Sequence, residues 1–87
     1  MEYIIDGAKM HTRQEAHEEI ASAMEFPGYY GKNLDALWDM LTTTRGTAVI
    51  RNVSTMLNAL GAYGCRIVKT FYDAAEENQR FDFRVEG

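Results

Sequence analysis

Apolar and polar residues alternate along the last stretch of the chain, FDFRVE, where Phe81, Phe83 and Val85 interleave with Asp82, Arg84 and Glu86. A period of two predicts a strand with one dry face and one wet face. EYIID, residues 2–6, is an apolar-centred run closed by Asp6-Gly7, which predicts a second strand and a turn. TAVIR, residues 47–51, is rich in β-branched side chains and predicts a third. Between these runs the period lengthens. Thr12-Arg13-Gln14-Glu15 fits a capping box, and Ala16, Ile20, Ala23 and Met24 follow at helical spacing until Pro27 and Gly28 end the helix. Asn33 is a favourable N-cap for a helix over about residues 33–43. Ser54 is expected to cap a short helix carrying Leu57 and Leu60 and stopped by Gly61. In residues 63–78 the apolar positions Cys65, Val68, Phe71, Tyr72 and Ala75 recur at three and four, predicting a longer amphipathic helix with Asp73, Glu76 and Glu77 at its acidic end.

Strands separated by helical connections predict a mainly parallel sheet joined by right-handed crossovers. The wet face of the last strand implies that helices cover one side only. The expected architecture is a two-layer α/β fold with a three-stranded sheet, in one domain spanning residues 1–87 without repeats or linkers. With 46% hydrophobic and 25% charged residues, such a chain can build a core without a metal or a disulfide.

The formal net charge of −4 argues against a nucleic-acid partner, since such proteins usually cluster lysine and arginine against phosphates. An acidic protein favours basic surfaces, although mild acidity alone also serves solubility. The lone Cys65 has no internal disulfide partner and suits a reducing compartment, the cytoplasm by default. Its place on the apolar stripe predicts core packing. The opening MEYIIDGAKM carries neither a signal peptide nor a membrane span. His11 and His17, six residues apart, share no helix face and are expected to be solvated, with no metal site and no cofactor. No nucleophile, base and orienting group come together in the sequence, so no catalytic residue is expected.

One segment concentrates the candidate chemistry: FPGYYGKNLDALWDML, residues 26–41, which holds the only proline and the only tryptophan. At about 100° per residue, Leu34, Leu37 and Leu41 share one arc with Met40 beside them. Asp35, Asp39 and Thr42 fall together on an adjacent face, with Trp38 half-buried at the border. Two acids at i and i+4 repel by roughly 0.2–0.5 kcal/mol, and the helix N-terminus returns a similar amount. Stability therefore does not decide whether they form a solvated first turn or a surface for a basic partner. Tyr29, Tyr30 and Trp38 favour the second reading, because rigid aromatics with polar ends anchor protein interfaces. One of the two tyrosines is expected instead to cover the edge of the helix layer.

PGYYGKNLDALWDML resembles the signature segment of barstar-type ribonuclease inhibitors, and element order, chain length and the phenylalanine-bearing last helix extend the resemblance to the whole chain. It implies a three-stranded parallel sheet packed with helices and the inhibition of a secreted, guanyl-preferring ribonuclease. Helix carboxylates would stand where the substrate phosphates lie. On this resemblance Asp39 meets the enzyme's arginines and catalytic histidine, Asp35 pairs with a neighbouring basic residue, and Tyr29 stacks on the active-site histidine. Gly31, Asn33, Leu34 and Thr42 line the contact and Trp38 supports it. Alignment on Phe71 brings Asp73 to the place of a glutamate on the last helix. The implied partner is a small basic ribonuclease met by a monomer, with neither nucleic acid nor membrane involved. Three positions depart from the pattern: Thr44 replaces a second contact tryptophan, Lys32 replaces an acid, and Gly46-Thr47 lacks a proline, so no cis peptide is expected there. The alternative is a module of the same fold whose basic partner is another toxin or a regulatory protein.

Overall fold

The computed structural model describes residues 1–87. Strands β1 (Glu2–Asp6), β2 (Gly46–Arg51) and β3 (Phe81–Val85) lie side by side in that order, and both pairs are parallel. Parallel neighbours need a connection that returns along the sheet, and helices supply it. Helices α1 (Arg13–Met24) and α2 (Leu34–Leu41) link β1 to β2, while α3 (Val53–Leu60) and α4 (Ala62–Glu77) link β2 to β3. The α/β fold expected from the pattern is the one observed.

The register places Ile5 beside Ile50 and Ile50 beside Val85. Because side chains alternate between faces, Tyr3, Ile5, Ala48, Ile50, Phe81, Phe83 and Val85 share one side. All pack into one cluster with Ile20, Leu37, Leu41, Met56, Ile67 and Phe71 from the four helices. Phe71 of α4 stacks on Phe83 with ring centroids 4.6 Å apart. The opposite face carries Glu2, Ile4, Val49, Arg84 and their neighbours. There Arg84 reaches Glu2 at 3.1 Å and Glu86 at 3.8 Å, and Arg51 reaches Glu86 at 3.3 Å. Val49 lies fully buried between Ile4 and Arg84 in register, so the one apolar side chain at the centre of the wet face is shielded. Long charged side chains can cover apolar surface in this way.

Asp6 ties the end of β1 to α1, to the following turn and to the start of α3. Its carboxylate accepts the Ala8 N–H at 2.9 Å and the Asn52 side-chain amide at 3.0 Å, and its own N–H donates to Glu19 at 2.9 Å. The predicted turn at Asp6-Gly7 continues as a 3-10 turn, Gly7–Lys9. A Cβ on Gly7 would lie 2.5 Å from the Asn52 carbonyl oxygen and 2.7 Å from that of Arg51. Only glycine lets these backbones approach so closely. Gly46, at φ +116°, opens β2 one residue before the predicted start. Every peptide bond is trans.

Two expectations need correction. Helix α3 starts at Val53 and is not capped by Ser54: Asn52 sits in the left-handed region at φ 55°, tied to Asp6, and the Val53 N–H donates to the Glu86 carbonyl at 3.0 Å. Asparagine tolerates this conformation better than most residues, and a tertiary bond replaces the local cap. The buried stripe of α4 is Gly64, Ile67, Phe71 and Ala74, whereas Cys65 and Tyr72 are exposed and Val68 and Ala75 lie at its border. Two adjacent stripes share the same three-and-four spacing, and contact with α3 selects the one containing Gly64. A Cβ on Gly64 would stand 3.2 Å from the Leu60 Cβ, so the smallest residue faces the neighbouring helix. Cys65 is therefore a surface thiol and not a core residue. No helix is long and apolar enough to cross a membrane.

Because Gly7 meets rigid backbone, Gly7→Ala is expected to destabilise the fold by about 1–3 kcal/mol, as overpacking usually does. Gly28→Ala, with no atom within 4 Å of the added Cβ, should be neutral or slightly stabilising. Urea unfolding of the two variants measures the contrast; equal midpoints would contradict the close approach.

Candidate functional site

The loop before α2 is built by local hydrogen bonds. The Tyr30 N–H donates to the Pro27 carbonyl at 3.0 Å, closing a turn, and Lys32 adopts a left-handed conformation at φ 53°. Asn33 then fixes both sides of the junction: its Oδ1 accepts the Ala36 N–H at 2.8 Å, and its Nδ2 donates to the Gly31 carbonyl at 3.2 Å. This is the predicted N-cap, and it also sets the loop's exit. At the other end Asn78 donates to the carbonyls of Leu41 at 3.1 Å and Thr44 at 2.7 Å, adding a partner to the last carbonyl of the helix and to one just beyond it. Sequence pattern gave no sign of this second clamp, because it joins residues more than thirty positions apart.

Held at both ends, α2 presents its faces as projected. Leu37 and Leu41 are fully buried, Leu34, Trp38 and Met40 are partly buried, and Asp35 and Asp39 are exposed. Burying two leucines contributes roughly 1.5–3 kcal/mol each, far above the few tenths at stake between the acids. The core contacts therefore orient the helix. Neither aspartate has an ion-pair or hydrogen-bond partner in its side chain, while Thr42, at the helix end, donates its hydroxyl to the Asp39 carbonyl at 3.1 Å.

An open hollow beside α2 is lined by Tyr29, Tyr30, Gly31, Ala36, Asp39 and Met40. It brings the loop aromatics and one acid together. The tyrosines divide as expected: Tyr29 is 84% exposed, and Tyr30 is 7% exposed within the core. Asp73 stands on α4, half-buried, with its carboxylate held by Lys69 at 2.7 Å. That bond raises the Lys69 pKa, first through the hydrogen bond and then through charge. Lys32, the cation of the loop, is 3.7 Å from Glu18 of α1. Ala36 and Met40, which line the hollow, were absent from the sequence-based set.

The expectation of solvated histidines holds for His11, which is exposed, and fails for His17. His17 is 1% exposed, with Nδ1 2.7 Å from the Tyr30 hydroxyl and Nε2 2.7 Å from the Tyr63 hydroxyl. Its spacing from Ile20 and Met24 puts it on the buried stripe of α1, a signal that residue-type expectation overrode. Arg13 lies over the Tyr63 ring, 4.3 Å from its centroid. Burial pushes the His17 pKa down and, with Tyr63 nearby, pushes the Tyr30 phenol up. Both imidazole nitrogens are engaged, so His17 offers no free base. No group of three or more histidine, cysteine or acidic side chains is arranged to hold a metal.

The geometry defines a small α/β protein with an acidic and aromatic face on one short helix and its preceding loop. The chain belongs to the barstar family, whose pattern, described as barstar (barnase inhibitor), matches residues 1–86. It is also 36% identical over 77 residues to the Bacillus subtilis (strain 168) protein named "Putative ribonuclease inhibitor YrdF", covering 85% of each chain.

Two groups set a pH dependence for the fold. The unfolded His17 takes up a proton near 6.5, whereas the buried imidazole resists until lower pH. Its contribution is complete above that value and is lost as pH falls below it. Asp6 is held below its usual 3.8 by the Asn52 and Ala8 hydrogen bonds, so its contribution is lost only on further acidification. The urea midpoint should be flat between about pH 8 and 7, decline below about 6.5, and decline again below about 4. His17→Gln should remove the first decline and keep the second; persistence of the first in that variant would assign it elsewhere.

Proposed function

We propose that this protein inhibits a secreted, guanyl-preferring ribonuclease of the barnase type by closing its basic active site. The observation that carries the reading is the pair of exposed, unpartnered carboxylates on α2 beside the 84% exposed Tyr29. Membership of the barstar family and the name of the Bacillus subtilis relative support it. In this reading residues 1–87 act as one domain and as a monomer inside the producing cell.

An enzyme that binds RNA needs a basic cleft, so acids presented from a firm helix speed encounter and fix register against it. Asp39, at the hollow, takes the place of a substrate phosphate, and Asp35 meets a neighbouring cation. Tyr29 offers a flat ring for stacking on the enzyme's histidine. Gly31, Asn33, Leu34 and Thr42 line the contact, while the partly buried Trp38 and the buried Tyr30 support it from beneath. Asp73 contributes less than a free acid because Lys69 already holds it. The rigidity of α2, clamped by Asn33 and Asn78, reduces the ordering cost of association.

The test is stoichiometric titration into a small guanyl-preferring ribonuclease, with RNA cleavage as the readout. Asp39→Ala should weaken inhibition by about 2–5 kcal/mol, a range set in part by complexes of barstar itself. Asp82→Ala, on the open face of the sheet, should change it by less than about 0.5 kcal/mol. Association should slow as salt is raised. Equal effects of the two substitutions would remove α2 from the interface, and no inhibition of any such enzyme would direct the search to a different basic partner.

A further inference from the structure

Four ties hold the loop that carries Tyr29. The Tyr30–Pro27 and Asn33–Gly31 bonds are local and shape the loop without attaching it to the body of the protein. The Lys32–Glu18 pair reaches α1, yet both side chains are about half exposed, at 50% and 47%, where water and salt weaken an ion pair. The Tyr30 hydroxyl on His17 is the polar tie made inside the core, at 2.7 Å between residues that are 7% and 1% exposed.

We propose that His17 is the positioning residue of the recognition loop: the imidazole, seated on α1, holds Tyr30 from beneath and so sets Tyr29, the preceding residue in the chain, beside Asp39. The proposal rests on the inhibitor reading for what the loop contacts, but not for how the loop is held.

The arrangement suits an anchor. A neutral imidazole donates from one nitrogen and accepts at the other, so Tyr30 and Tyr63 together satisfy both, and no buried side-chain nitrogen or oxygen lacks a partner. Tyr63 rises from α4 and is partly exposed, with Arg13 over its ring. It completes the second nitrogen from outside the loop. The Tyr30 ring adds a tilted contact with Phe26, centroids 5.0 Å apart, at the loop's other end. Loss of the hydroxyl would leave the ring packed but unfixed in rotation and depth.

Tyr30→Phe and Tyr63→Phe each delete one hydroxyl from the same imidazole, and only the first belongs to the loop. The measurement is amide hydrogen exchange at residues 29–33 in the free protein, together with inhibition of a guanyl-preferring ribonuclease, for variants whose urea midpoints are compared. Tyr30→Phe should speed loop exchange about tenfold and raise the inhibition constant about five- to tenfold through faster dissociation, the scale of one hydrogen bond. Tyr63→Phe, at a similar loss of stability, should leave both within about twofold. Equal effects in the two variants would reduce His17 to a general core contact. Faster exchange without weaker inhibition would show that the tether does not serve recognition. If the unmodified protein inhibits no ribonuclease, the functional reading fails on that ground alone, and the exchange contrast still decides whether His17 holds the loop.

Discussion

Parallel pairing of β1 with β2 and of β2 with β3 forces each connection to travel back along the sheet, and both connections do so over the same face. The rest of the structure follows from that one-sided burial. The four helices share a single apolar layer with the three-stranded sheet. Each helix then needs one buried stripe and leaves its opposite face to solvent. The uncovered side of the sheet is managed by charge, with Arg84 and Arg51 bridging Glu2 and Glu86 around the buried Val49.

Helix α2 carries two demands in eight residues. Leu37 and Leu41 must reach the core, which fixes its rotation, and that rotation leaves Asp35 and Asp39 exposed one turn apart. A helix this short is not stable by propensity. Its persistence depends on the two leucines and on the asparagines at its ends, Asn33 through a local cap and Asn78 through a bond from the far side of the chain. Acids that add nothing to stability can therefore be carried there, since tertiary contacts, and not helix charge, hold the segment.

What could be read from the sequence follows the range of the interaction responsible. The alternation of β3, the Thr12 and Asn33 caps and the two faces of α2 depend on residues within one or two turns of each other, and all are found as expected. The phase of α4 depends on a neighbour: its sequence offers two stripes, and the fit of Gly64 against Leu57 and Leu60 of α3 chooses between them. The start of α3 depends on Asp6, brought alongside by the sheet. His17 failed for a different reason. Its position on the α1 stripe was visible, but a histidine is worth burying only if both nitrogens find partners, and those partners are 13 and 46 residues away. Asn78 was invisible on the same account.

Charge on the acidic and aromatic face is partly cancelled from within, and the cancellation is uneven. Lys69 holds Asp73, and Glu18 lies against Lys32, so the acid of α4 and the cation of the loop are each offset by a neighbour. Asp35 and Asp39 have no such neighbour. In the inhibitor reading this weights recognition toward α2 and Tyr29, because an acid already paired must give up that partner before it can help another. Thr44 acts in the same direction: its hydroxyl donates to the Met40 carbonyl at 2.8 Å, so it finishes the helix where a large aromatic would have extended the surface. In the same reading, a face narrowed at its edges and free of compensation at its centre favours a partner whose basic charge is itself concentrated, as it is in a cleft built to hold phosphates.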